Sequence, residues 1–118
     1  MLNTPYAIVI EDDPQLSVIY KTALQQAGFN TALDVNGDLY PTLLDDAEPT
    51  LVLLDLHLPF ALGTDILEIV RARYPKTVIA VITADFMIAK TLAEKADHVL
   101  IKPVSISSIL KIALPLKG

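Results

Sequence analysis

Six residues of this chain carry the chemistry, and each follows an apolar run: Glu11, Asp12 and Asp13, then Asp55, Thr83 and Lys102. The runs are Tyr6 to Ile10, Leu51 to Leu54, Val78 to Ile82 and Val99 to Ile101. Taken singly, each group has an ordinary reading. Acids before a helix cap it, a threonine caps the next helix, and a lysine is solvated. Taken together they would meet in one place, because ligands of an open parallel sheet bind outside the carboxyl ends of its strands. Several carboxylates in one crevice are costly unless a cation joins them. An all-oxygen donor set selects a hard ion, and Mg²⁺ fits best because it keeps waters and takes few carboxylates. Such a pocket suits phosphoryl transfer, which depends on positioning and on neutralising charge. Asp55 is then a carboxylate nucleophile, Lys102 pairs with one phosphoryl oxygen and Thr83 donates to another.

The elements that hold these groups alternate in type. Tyr6 to Ile10 reads as a strand buried on both faces. Asp13 and Pro14 open a helix as cap and first residue, and Gly28 lies just past its end. Asn30 to Val35 alternates weakly, as an edge strand does, and Asn36-Gly37-Asp38 is a turn. Leu39 to Ala47 forms a short helix. Thr50 to Leu54 is the central strand, and a loop holding Pro59 leads from Gly63 into a helix with Ile66, Leu67, Ile69 and Val70 inward. Thr77 to Thr83 is a strand, Met87 to Ala96 a helix and His98 to Ile101 the last strand. Ser105 to Leu114 is the last helix, capped by Ser105 or Ser107 and stopped by Pro115. Five strand–helix alternations predict an α/β fold with a doubly wound five-stranded parallel sheet in the order 2-1-3-4-5.

Bulk properties narrow the function. A length of 118 residues predicts a single domain over residues 1–118. At 53% hydrophobic residues the chain has enough apolar surface for a core. The formal charge of −5 argues against direct nucleic-acid binding by this domain. With no cysteine there is no disulfide framework and no thiolate metal site. The residues before the first strand are too few for a signal peptide, and no apolar run reaches spanning length, so a cytoplasmic protein without a membrane role is expected.

Over about residues 6–114 the chain resembles the receiver domain of two-component response regulators. The resemblance rests on Ile10-Glu11-Asp12-Asp13, on Leu54-Asp55-Leu56-His57-Leu58-Pro59 with Gly63, on Thr83-Ala84 and on Lys102-Pro103. It implies that Asp55 is the phosphoacceptor and that Mg²⁺ is met by Asp12 and Asp55 directly, by Glu11 through water and by the backbone carbonyl of His57. It implies a cis Lys102-Pro103 bond. It implies a histidine kinase or phosphotransfer protein as phosphodonor, and a signalling switch that catalyses only its own phosphorylation and slow dephosphorylation rather than an enzyme with an external substrate.

Three features depart from that pattern. The family usually has an aromatic residue three positions before the lysine, where this chain has Val99. The span from Thr83 to Lys102 is about one helical turn short, so the fourth helix is expected to be short or displaced. His57 and Asp85 flank the site, where they could pair across its mouth or stand as solvated loop residues. The apolar last helix, with Ile106, Ile109, Leu110, Ile112, Ala113 and Leu114, suggests a homodimer or output-domain contact through the fourth and fifth helices. Two other readings remain: a receiver-fold interaction module that works without phosphorylation, and a hydrolase of phosphate esters with His57 where a general acid would stand. A stand-alone receiver and a module of a longer regulator or hybrid kinase remain equally open.

Overall fold

The computed structural model describes residues 4–58 and 62–117. Pro59 lies outside the described residues. Five parallel strands form one sheet, β1 Tyr6–Ile10, β2 Asn30–Asp34, β3 Leu51–Asp55, β4 Val78–Thr83 and β5 His98–Ile101, in the order β2-β1-β3-β4-β5. The helices are α1 Pro14–Gln26, α2 Tyr40–Asp46, α3 Gly63–Arg73, α4 Phe86–Leu92 and α5 Ile106–Ala113.

The three inner strands are apolar up to the last residues of β3 and β4, Asp55 and Thr83, because both faces of the sheet are covered. Residues of opposite parity along each strand feed two separate cores. Ala7 and Val9 join Tyr20, Leu24, Ile109 and Ile112 under α1 and α5. Ile8 and Ile10 join Leu44, Ile66, Leu67, Val70 and Leu92 under α2, α3 and α4. Asp13 caps α1, its carboxylate accepting from the N–H groups of Gln15 and Leu16. Gly28 has φ +101° just beyond that helix, where side chains are strained. Ser105, rather than Ser107, caps α5 by accepting from the Ser108 N–H.

Several expectations are corrected. Ile69 is 45% exposed, because the apolar stripe of α3 is only wide enough for Ile66, Leu67 and Val70. The fourth helix starts at Phe86 rather than Met87 and stops at Leu92, not Ala96. The chain turns there, and the Ala96 N–H bonds back to the Leu92 carbonyl. The helix is therefore seven residues long, a shortening that matches the short span between Thr83 and Lys102. Pro115 ends α5 indirectly, by falling inside a 3-10 turn, Leu114–Lys117.

The far end of the sheet is tied by Asp97. Its carboxylate accepts the Ile79 N–H at 2.8 Å and pairs with Arg71 at 2.6 Å, while Arg71 also donates to the Thr77 carbonyl at 2.8 Å. Ile79 is fully buried, so Asp97→Ala leaves its N–H without a partner. The expected cost is about 1–2 kcal/mol, read from urea unfolding. Burial pushes the Asp97 carboxyl up, but the Ile79 N–H and Arg71 outweigh it and hold its pKa below the ordinary value of 3.8. A depressed folded pKa adds stability above the unfolded value, and that stability is lost as pH falls through the folded one. Asp97→Asn should therefore flatten the acid limb of a stability–pH curve below about pH 4, with little change at neutrality beyond the lost ion pair.

Candidate functional site

The carboxyl ends of β1, β3, β4 and β5 bring Glu11, Asp12, Asp55, Thr83 and Lys102 to one end of the sheet. The register explains the convergence. Asp55 pairs with Ile82, one residue before Thr83, and the Lys102 N–H donates to the Thr83 carbonyl at 2.9 Å. Glu11, Asp55 and Thr83 are buried, while Asp12 is exposed at the rim. One carboxylate oxygen from each of Glu11, Asp12 and Asp55 lies within 4.8 Å of the others. Lys102 Nζ reaches in from one side, 3.4 Å from Asp55 Oδ2 and 3.5 Å from Glu11 Oε1. The Lys102-Pro103 peptide bond is cis.

The two buried acids divide their charge unequally. Asp55 Oδ1 accepts the His57 N–H at 3.0 Å. Burial pushes its carboxyl up, but its coupling to Glu11, the His57 N–H that it accepts and the nearby charge of Lys102 bring its pKa below 3.8. Glu11 has less support. Its Oε2 accepts the Asp13 N–H at 3.3 Å, and its fully buried Oε1 has no hydrogen-bond partner among the described residues. Burial first, then the neighbouring Asp55 carboxylate, raise the Glu11 pKa to about 8. The pair is therefore pushed apart, Glu11 up and Asp55 down, so Asp55 is the first of the two to lose its proton as pH rises. Lys102 is held protonated: burial lowers its pKa, but the attraction of Asp55 and Glu11 wins and raises it above 10.5.

An orphaned buried carboxylate oxygen beside two further acids fits a hard divalent cation. A cation there would satisfy Oε1 and relieve the repulsion that protonates Glu11.

Thr83 is fully buried, and its Oγ accepts the Asp85 N–H at 3.0 Å. With a lone pair so engaged, its proton remains available for another acceptor. The Asp85 carboxylate caps α4, accepting from the N–H groups of Met87 and Ile88. That engagement replaces the pairing with His57, and no His57–Asp85 ion pair exists among the described residues. Val99 packs, half-buried, against the core under α3 and α4 as an ordinary strand residue.

A family model described as the response regulator receiver domain matches residues 7–114. The chain belongs to this family. The DNA-binding response regulator MtrA of Mycolicibacterium smegmatis is 33% identical over 98 residues, covering 81% of this chain and 43% of that protein. The transcriptional regulatory protein CitT of Bacillus subtilis is 30% identical over 114 residues, 92% of this chain and 50% of that protein. The chain thus spans half or less of the length of these curated relatives. Among solved structures, a CheY-like receiver from Methanospirillum hungatei superposes with a TM-score of 0.86 at 21% identity, covering 97% of this chain and 94% of that one. A response regulator from Burkholderia pseudomallei, solved with a phosphorylated aspartic acid, a calcium ion and citrate, has a TM-score of 0.81 at 25% identity, covering 90% of this chain and 64% of that one.

The receiver domain is a signalling switch rather than a classical enzyme, and its acidic pocket is typical of phosphoacceptor receivers. No described helix is long and apolar enough to cross a membrane.

Proposed function

We propose that this receiver accepts a phosphoryl group on Asp55 from a histidine kinase or phosphotransfer protein, in the cytoplasm, and changes an output surface in response. The observation that carries the reading is the acid triad within 4.8 Å, closed by Lys102 at 3.4 Å from Asp55. Asp55 holds its charge, so a carboxylate oxygen can attack phosphorus. The oxygen–phosphorus bond forms as the phosphorus–nitrogen bond to the donor imidazole breaks, and the imidazole leaves with the bonding pair. Lys102 stays protonated through this step and pairs with a phosphoryl oxygen, while the Thr83 hydroxyl donates to another. Glu11, Asp12 and Asp55 with the His57 carbonyl would hold Mg²⁺, which when bound shields Asp55 from the incoming anion.

Exposed Ile101, Ile106 and Leu114 on β5, α5 and the turn after it support an output or homodimer surface on that flank. Sedimentation before and after phosphorylation tests the dimer: an unchanged mass removes it.

The main test is incubation with a small phosphodonor and Mg²⁺, read by intact mass. One added phosphoryl group is expected, and no addition would favour the interaction module that works without phosphorylation.

The proton on Glu11 makes a separate prediction. Metal binding needs the carboxylate, so Mg²⁺ affinity should rise as pH climbs toward about 8 and binding should release a proton near neutrality. In the metal-free protein the raised pKa has the opposite sense for stability. Its contribution is complete below the ordinary carboxylate range and lost as pH rises through about 8. Titration calorimetry in buffers of different ionisation enthalpy checks the proton release. Buffer-independent heats would remove it.

A further inference from the structure

Asp34, at the end of β2, is a buried carboxylate that belongs to no ion pair among the described residues. Its charge is held by backbone instead. Oδ1 accepts the N–H groups of Asn36 at 3.2 Å, Gly37 at 2.8 Å and Asp38 at 3.2 Å. Oδ2 accepts those of Leu39 at 2.9 Å and Tyr40 at 2.6 Å. These amides are the whole connection from Asn36 into α2, and Gly37 enters it with φ +80°. Leu39, the residue at the start of α2, gives that helix no side-chain cap of its own.

The same residue grips the acidic cluster with its other polar group. The last pair of the β1–β2 ladder is Ile10 with Asp34, and one step further the Glu11 N–H donates to the Asp34 carbonyl at 3.2 Å. Asp34 therefore joins a turn folded around its carboxylate to the backbone of the acid whose side chain has the least support.

We propose that Asp34 is a positioning residue for the metal cluster, fixing the backbone of Glu11 through the turn that it organises. The inference rests on the divalent-cation reading of Glu11, Asp12 and Asp55. Without the carboxylate, five N–H groups at the root of α2 lose their partner, the one from Gly37 buried and the other four part-buried, and water must replace it. The turn opens toward water, the Asp34 carbonyl moves with it, and Glu11 loses the rung that orients it. Groups that orient ligands in this way commonly change metal affinity about tenfold or more.

The experiment compares wild type, Asp34→Asn, Asp34→Ala and Asp97→Ala by amide hydrogen exchange and by Mg²⁺ titration of backbone resonances. Asp97→Ala loosens the opposite end of the sheet and controls for lost stability alone. In Asp34→Ala the Glu11 amide should exchange about tenfold faster, and the Mg²⁺ dissociation constant should rise about tenfold. Asp34→Asn, which keeps one oxygen acceptor, should fall between, and it carries the comparison if Asp34→Ala does not fold. Asp97→Ala should leave Mg²⁺ affinity unchanged and speed the Glu11 amide no more than it speeds the other core amides. Unchanged Glu11 exchange and Mg²⁺ affinity on losing Asp34, or an equal loss in Asp97→Ala, would overturn the proposal. A wild type that ignores Mg²⁺ would instead defeat the metal reading, and Glu11 exchange would still decide whether Asp34 positions it.

Discussion

Asp55→Asn is expected to lose all labelling by a small phosphodonor while keeping the fold. The amide that replaces the carboxylate has no charged oxygen to attack phosphorus. Its carbonyl oxygen can still accept the His57 N–H that Asp55 Oδ1 holds at 3.0 Å, so the start of the following loop keeps its anchor. Losing one of two facing carboxylates should also lower the Glu11 pKa from about 8, since the negative charge of Asp55 beside it helps to raise it. Lys102 keeps Glu11 as a partner, 3.5 Å away. The stability change is therefore expected within about 1 kcal/mol, against complete loss of the covalent product. Intact mass and urea unfolding on the same sample separate the two effects. Equal labelling of variant and wild type would place the acceptor elsewhere and sink the assignment of Asp55.

Gly63→Ala should be the most damaging conservative change to the fold. A Cβ at Gly63 would sit 2.6 Å from the Leu56 Cα and 3.1 Å from the Asp55 carbonyl oxygen. Both are backbone atoms at the carboxyl end of a fully buried central strand, so they cannot swing aside. Either α3 lifts from the sheet or the Asp55–Leu56 backbone shifts. Overpacking of this kind costs about 3 kcal/mol. Gly28→Ala is the informative contrast. Its Cβ would meet only the flexible end of Lys117, at 2.8 Å, and its penalty is the φ of +101°. About 1–2 kcal/mol is expected there, with no effect at the site. Gly63→Ala should also weaken Mg²⁺ binding, because Asp55 moves with its backbone. A Gly63→Ala protein as stable as wild type, by urea unfolding, would show that α3 yields at no cost.

The site was largely visible in the amino-acid order for a physical reason. A strand buried on both faces must be a continuous apolar run, and a charged residue ends it where the chain reaches solvent. Leu51 to Leu54 followed by Asp55 therefore announces a strand and its polar end together. Right-handed crossovers between parallel strands leave few arrangements for five such units, which is why the strand order could be read as well. Asp13 with Pro14, and Gly28, are local signals of helix ends that depend on little beyond their neighbours.

What the order of residues could not convey are facts set by packing between distant segments. Ile69 has the right type for the core, but the width of the α3–sheet contact leaves it outside. Asp85 looked free to meet His57 until the start of α4 at Phe86 put its carboxylate on that helix's own N–H groups. Asp34 sits before Asn36-Gly37, an ordinary turn signal, and only the folded turn closes five amides around it. Charge is the clearest case. Glu11 and Asp55 are both plain acids in the chain, and burial beside one another, with His57 and Lys102 favouring Asp55, decides which of them keeps the proton.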